Sequence, residues 1–565
     1  MIYDDFLDNQ VCFLLTVDWM GKPFRFSTIV LDVKDTITNQ TYTYEGGLSD
    51  PDFSQSTSFT GVNVEGNNIN LELVFPDVDW VAEWLQGRTL SQSNCTLAMI
   101  PTSNMKTTYT EQDKILLYTG KVTDPIIGTP DKPKGHVVFS MSNDTTVSSS
   151  KIMDSSFEIQ VYNFPGLDQR AAAIGRMIQY PVGKYAPLVF GTPGTYPVRV
   201  NNTGIEFINK AQVSPVYTID TTGSGIGLTA VYIIAYHPVK ASTVRVWDQS
   251  GGNFKNTIRT ALDTDGNLYS YTTYTLGGVI EDNSYVPALD EDQTFWASWD
   301  EDSGGYPAPY STGSMSGAGD ICLFILESLG LSYDRGAWMG LLNNSNLYRF
   351  AGYINDPNVL AWDWLQENIL QWLPIEVVQG PLGLTPKMHL YFFSSKLEPQ
   401  FHILESGQFE VVTGIQPLDI ATVNKVTCKF CYQGQFDTFA TSVTIDPTIP
   451  SSKQNPLLLQ DNIAAVSYQK YGLKEEIIEC PFVWDLDTAI RIAKDRIKVR
   501  ALGPVGIEIK AFPRYGYLDI GDIISFTSTT LGLEKHLCQV ISKSWSDNQW
   551  SFVLYLEDST INRIR

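Results

Sequence analysis

The sequence predicts a mainly β, multidomain protein, built of β-barrel or sandwich domains with a smaller helix-containing α/β region before a C-terminal β-domain. Three observations predict it. The chain has 565 residues, enough for about four domains of ordinary size. Hydrophobic residues make up 43% and aromatic residues 12% against only 18% charged, a globular and β-leaning composition. Short apolar-alternating runs punctuated by Gly, Pro and Asn recur along most of the chain, whereas helical spacing is confined to a few stretches.

Residues 1–150 read as an N-terminal β-barrel or sandwich. VCFLLTVDWMGKPFRFSTIVLDV gives two strands around a Met20-Gly21-Lys22-Pro23 turn, and NNINLELVF, CTLAMI, KILLYTGKV and GHVVFSMS supply further strands at near-regular spacing. DVDWVAEWLQGR interrupts them as one or two helical turns, with Val81, Trp84 and Leu85 on the face that plugs one end of the sheet. Residues 151–200 form an extended connector, because GRMIQYPVGKYAPLVFGTPGTYPVRV is too rich in Pro and Gly for regular structure. A small β-domain follows over 201–310, from GLTAVYIIAYHP, STVRVWDQ and NLYSYTTYTLGG, and it ends in an acidic Gly/Ser/Pro linker.

Residues 311–400 carry the helix-containing α/β domain. Ile321, Phe324, Ile325, Leu329 and Leu331 mark one helix; Leu360, Trp364, Leu365, Ile369 and Trp372 mark a second, closed by Pro374. The C-terminal β-domain, 401–565, contains one amphipathic helix with Leu486, Ala489, Ile490, Ala493 and Ile497 on its apolar face, Asp485 as N-cap and Gly503-Pro504 as its stop. After it, Val505, Ile507, Ile509 and Ala511 alternate, as do Trp550, Phe552, Leu554 and Leu556. With β-rich runs at 522–527 and 537–544 between them, the segment reads as a helix followed by an antiparallel meander.

A net charge of -23, from 39 basic and 62 acidic side chains, repels phosphates and anionic lipids and disfavours nucleic-acid binding. The N-terminus MIYDDFLDNQ has no basic region ahead of an apolar run, so no export signal is expected, and no apolar stretch reaches the ~18 residues of a membrane span. Seven cysteines, an odd number spread along the chain, fit a reducing compartment better than a disulfide framework.

The candidate chemistry is sparse, and no catalytic, cofactor-binding or metal-binding residue is expected. Cys428 and Cys431 form a C-x-x-C, but on a strand they point to opposite faces and no second ligand pair accompanies them, so they read as structural. His136, His237, His389, His402 and His536 are scattered outside any metal or catalytic spacing. Phosphate-cradling loops and a Gly-x-Ser-x-Gly elbow are missing. Asp290, Glu291, Asp292, Asp300, Glu301 and Asp302 crowd one loop beside Trp296 and Trp299; a solvated interdomain linker, a cation site and a glycosidase-like cleft are the three readings.

The C-terminal stretch carries a family resemblance. YLDIGDIISFTSTTLGL, with its Leu-x-x-Gly-Asp turn and Gly-Leu connection, followed by CQVISKSWSDNQWSFVLYLE, resembles the C-terminal β-domain of phage tail and baseplate hub proteins. The order of helical piece, Pro-ended helix, VNKVTCKF and YGLKEEIIE over about residues 315–560 is similar to that family, and APLVFG adds a weaker likeness upstream. The resemblance implies a non-enzymatic structural virion protein at the tail tip, assembled in the host cytoplasm, that links the distal tail tube to a fibre or spike apparatus. It implies a homotrimer whose two β-domains per subunit alternate around a channel that DNA traverses without specific binding, and no membrane insertion. The competing class is a carbohydrate-binding or glycan-hydrolysing β-domain protein of the tail tip, with Trp296, Trp299 and the neighbouring acids as its site.

Overall fold

The structure, a computed structural model, describes most of residues 10–142 and 309–556, the segments 150–153 and 184–191, and, from 196 to 298, chiefly the backbone of strands. It is mainly β, with several packed sheets and a few short helices, as the sequence predicts.

In the N-terminal region antiparallel pairing runs from Lys22–Ser27 through Gln10–Trp19, Asn94–Thr102, Ile115–Thr129, Lys132–Ser142 and Asn68–Val74 to Asp52–Ser56. Leu48 lies between the two flanks of this run: its N–H donates to the Ser27 carbonyl and it bridges Leu73. The Gln10–Trp19 strand is buried on both faces. Phe13, Leu15 and Val17 enter the main core, while Cys12 and Leu14 enter a second cluster with Val33, Tyr44 and Ile100. A strand covered on both sides reads as an unbroken apolar run, which is why VCFLLTV does not alternate.

The helical interruption is present as Trp80–Leu85, capped by Asp79, which accepts from the Ala82 N–H at 3.0 Å. Its inward residue, however, is Trp80, stacked on Trp19 with ring centroids 5.2 Å apart. The expected inward set is exposed: Val81 by 48%, Trp84 by 39% and Leu85 by 81%. Six residues make fewer than two turns, so one large ring that finds a partner sets the helix rotation and the apolar stripe about 100° away turns to water.

From 196 to 298 the backbone includes a seven-stranded sheet in the order Asn253–Phe254, Arg245–Trp247, Phe295–Ser298, Ser214–Thr222, Thr229–Ala235, Gly278–Asp282, Ile258–Thr260. Beyond it the two expected helices are found at Ala318–Ser328 and Ala361–Asn368, the second followed by a 3-10 turn, Leu370–Trp372, ahead of Pro374. A further helix, Arg335–Ser345, lies between them. Its sequence, RGAWMGLLNNS, has poor helix propensity. It is held instead by the Asp334 cap on the Ala337 N–H and by the buried Trp338, whose indole N–H donates to the Leu384 carbonyl at 3.1 Å.

The Leu486–Arg500 helix forms as read, with Asp485 accepting from the Thr488 N–H at 2.8 Å. Its buried Ala489, Ile492, Ala493 and Ile497 share one core with Val426, Cys428 and Phe430 and with the helices of the 318–372 region. The sheet beneath it runs Leu458–Leu459, Thr438–Ile445, Lys425–Gln433, Glu475–Glu479. Another helix unmarked by the sequence, Asn462–Tyr471, is capped by Asp461 and stopped by Gly472 at φ +71°.

The last four strands do not form the simple meander expected from their order. Ile523–Ser528, Leu533–Ser546 and Gln549–Leu556 do pair consecutively, but Val505–Ala511 pairs with Gln549–Leu556 instead of its sequence neighbour. Its other edge takes Phe409–Val411 and Gln416–Pro417, and Phe401–Leu404 adds in parallel to Ile523–Ser528. The intervening segment, which includes the 3-10 turn Pro513–Tyr517, carries the chain across.

The turn before Ile523 has the expected glycine geometry. The Asp522 N–H donates to the Asp519 carbonyl at 3.1 Å and Gly521 has φ +82°. A Cβ on Gly521 would lie 2.5 Å from Cβ of Lys387. Gly521→Val should therefore destabilise the chain by at least ~2 kcal/mol, through left-handed strain and overlap with the Lys387 stem. A thermal melt unchanged by this substitution would show that the turn bears no such constraint.

Candidate functional site

The sequence-marked cysteines are buried free thiols, but not on opposite strand faces. Cys431 adopts φ +58°, which breaks the alternation of Lys425–Gln433 and turns it into the same core as Cys428. Cys428 lies 3.6 Å, sulfur to sulfur, from Cys480, and the Cys431 thiol donates to the Trp484 carbonyl. Burial raises the thiol pKa of both Cys431 and Cys480, which keeps them protonated. Cys480 was invisible to motif spacing because it reaches this cluster through the parallel pairing of Glu475–Glu479 with Lys425–Gln433.

The described histidines serve different local partners. His136 meets the Glu72 carboxylate, and His402 meets the Ser525 hydroxyl. His389 is buried, and burial with the nearby Arg496 pushes it down to about 4, so it is neutral across the physiological range. His536 is half-buried on the Leu533–Ser546 strand, and His237 lies outside the described residues. Among the described residues no group of three or more His, Cys, Asp or Glu is placed to hold a metal.

Trp296 sits mid-strand in Phe295–Ser298, opposite Pro215 on one side and Trp247 on the other, so it belongs to a sheet and not to an acidic loop. Trp299 and the carboxylates at 290–292 and 300–302 lie outside the described residues.

What the structure does bring together is the two ends of the chain. Asp52–Ser56 pairs antiparallel with Leu533–Ser546, placing Gln55 opposite Lys543 and Phe53 opposite Trp545. One hydrogen-bonded network thus joins strands from residue 10 to residue 556. Their side chains share a core: Phe13 meets Trp545 edge-on at 5.3 Å and Phe53 meets Trp550 at 5.4 Å and 89°. Edge-to-face pairs of this kind add about 0.5–1.5 kcal/mol each beyond the area they bury.

Lys543 lies at the centre of this junction with its side chain 1% exposed. Its ammonium donates to the Gly516 carbonyl at 2.7 Å and to Asp519 at 3.3 Å, and it lies 4.9 Å from the Trp550 ring centroid and 5.7 Å from that of Phe53. A β-bulge between Val540 and Ser542 puts it there. Before the bulge Cys538 and Val540 face the core, and after it Trp545 does, so Lys543 inherits an inward position. Gly516 is fitted as closely: a Cβ there would lie 2.8 Å from both the Met99 sulfur and the Trp550 indole nitrogen.

A second buried charge-bearing residue is Glu376, on the Ile375–Gly380 strand and 3% exposed. Neither carboxyl oxygen has a hydrogen-bond partner, and its cross-strand neighbour Lys387 pairs instead with Asp522 at 2.8 Å. Desolvation pushes Glu376 up to about 8.

No protein-family model matches this chain, and no curated protein matches it. Among solved structures it is similar to a tail protein from Neisseria meningitidis MC58, at 8% identity over 97% of both chains with a TM-score of 0.36. It is also similar to the 43 kDa tail protein of prophage MuSo2 from Shewanella oneidensis, at 10% identity over 97% of this chain and 98% of that one, TM-score 0.37. A component of the virion of a native gene transfer agent particle aligns over 67% of this chain and 86% of its own, at 10% identity and a TM-score of 0.37. The neighbours are tail and virion proteins.

Proposed function

We propose that this chain is a structural virion protein, the hub of a phage tail or baseplate that joins the distal tail tube to a fibre or spike apparatus. The observation that carries the reading is the continuous network in which Asp52–Ser56 pairs with Leu533–Ser546 and sets the N-terminal and C-terminal β-regions side by side. A subunit that offers two β-regions next to each other can repeat by a threefold rotation into a ring of six β-parts, a heterologous interface that closes on itself. In this reading the division at 1–150, 151–200, 201–310, 311–400 and 401–565 marks the functional units, and 1–150 and 401–565 form the ring as barrel-like domains. The acidic balance of the chain suits a wall past which a DNA duplex slides without tight contacts. The role is one of assembly and passage, with no catalysis, and its place is the tail tip of a particle assembled in the host cytoplasm.

Imaging of assembled particles tests this. Three copies around a central channel at the tube tip are expected, with each subunit interface burying well over ~1,000 Å². Another copy number, or a position on a peripheral fibre, would remove the hub assignment.

A further inference from the structure

The outer face of the sheet that carries Lys425–Gln433 and Thr438–Ile445, together with the C-terminal end of the Ala361–Asn368 helix, encloses an open groove of about 880 Å³. Its charged groups are unbalanced: the carboxylates of Glu367, Asp437 and Glu479 face a single ammonium, that of Lys429. Lys429 is already committed to Glu479 at 2.8 Å. The last carbonyls of the helix add negative potential on the side of Glu367. Two aromatic rings form the apolar part. Tyr432 and Phe439 are direct cross-strand neighbours, with ring centroids 5.3 Å apart and planes tilted by 57°. The Tyr432 phenol is fixed by donating to Asp437 at 2.7 Å, so the ring pair and the carboxylate are held as one unit.

This combination selects its ligand by charge and shape. Phosphorylated or carboxylated ligands meet three carboxylates and are repelled. A neutral ligand gains contact with the rings but nothing from the charge excess. A flat or compact organic cation gains from both, because ring faces attract cations by about 0.5–2 kcal/mol and adjacent carboxylates accept its hydrogen bonds. We propose that the groove docks a basic segment of a partner protein, an arginine or lysine side chain of which lies across Tyr432 and Phe439 with Glu367, Asp437 and Glu479 around it. The choice of a protein as occupant rests on the assembly role above; the preference for a cation rests on the groove alone.

The test uses the full chain, with the peptide Ac-Gly-Arg-Gly-Arg-Gly-NH2 titrated by isothermal calorimetry at low salt. Saturable binding is expected, weakened at least about tenfold in the Glu367→Gln/Asp437→Asn double variant and separately in Phe439→Ser. Asparagine tolerates the positive φ of Asp437, +49°, so the double variant should melt as the parent does. If it does not, Glu479→Gln, at a carboxylate 57% exposed, removes a charge without touching the core and should also weaken binding. Absence of saturable binding overturns the proposal. So does equal affinity in the variants, which would reduce the effect to general attraction to an acidic protein, and so does tighter binding of chitotetraose than of the peptide, which would make the groove a saccharide site. Particle imaging bears only on the hub reading, so the two can fail separately.

Discussion

Lys543→Ala should destabilise the chain by about 3 kcal/mol, the lower end of what is lost when one member of a buried charged pair is removed. The Gly516 carbonyl would lose its 2.7 Å donor in a dry site, and Asp519 would lose its cation while keeping some water, being 23% exposed. Loss of the buried aliphatic stem, whose ammonium lies beside Phe53 and Trp550, would leave a void as well. Lys543→Met fills that void but removes the same ammonium, so it should still cost about 2 kcal/mol. Urea unfolding of the whole chain, followed by far-ultraviolet circular dichroism, separates the two effects. Because the ammonium is buried, the cost should also be nearly independent of salt. A methionine variant as stable as the parent would show that packing alone, without the charge, holds the junction of the two ends together.

The parts of this fold that were legible in the sequence are those where local chemistry and long-range packing agree. Asp485 caps the Leu486–Arg500 helix because its carboxylate can reach the Thr488 N–H wherever the helix packs. Val505–Ala511 and Gln549–Leu556 alternate because each has one face in the core. The Gly521 turn was legible because glycine adopts φ +82° without the steric cost a Cβ would bring.

The rest depended on partners far away in the chain. Nothing local announces that Asp52–Ser56 meets Leu533–Ser546, since strand DFSQS is short and polar at every position but Phe53. The inward turn of Cys431 and of Lys543 arises from single irregularities, a left-handed residue and a bulge, and a period-2 reading carried past either one assigns every later side chain to the wrong face. The groove between Glu367 and Asp437 is assembled from a helix end and a hairpin some seventy residues apart, so spacing could not reveal it. One signal was available and passed over. Glu376 is the sole acid in the apolar run PIEVV, and an acid in a strand whose neighbours are all buried marks either an edge or a buried carboxyl.

That carboxyl gives the chain a specific pH dependence. Glu376 is raised from 4.5 to about 8 by desolvation, with no cation to offset it. Below pH 4.5 it is neutral in both the folded and the unfolded chain and contributes nothing to pH dependence. Between 4.5 and 8 the unfolded chain releases this proton while the folded chain retains it, so stability falls as pH rises; above 8 both states are ionised and the loss is complete. At about 1.4 kcal/mol per pH unit, the loss at pH 7 amounts to about 3 kcal/mol. Glu376→Gln keeps the shape of the neutral acid and abolishes the titration. Relative to the parent it should therefore be near neutral at pH 4.5, more stable by about 3 kcal/mol at pH 7, and more stable still at pH 8.5. Urea midpoints of both proteins from pH 4.5 to 8.5 measure the difference. Two parallel stability curves would mean that water or a counter-charge reaches this carboxyl in solution, and that the Ile375–Gly380 strand is not sealed against the rest of the fold.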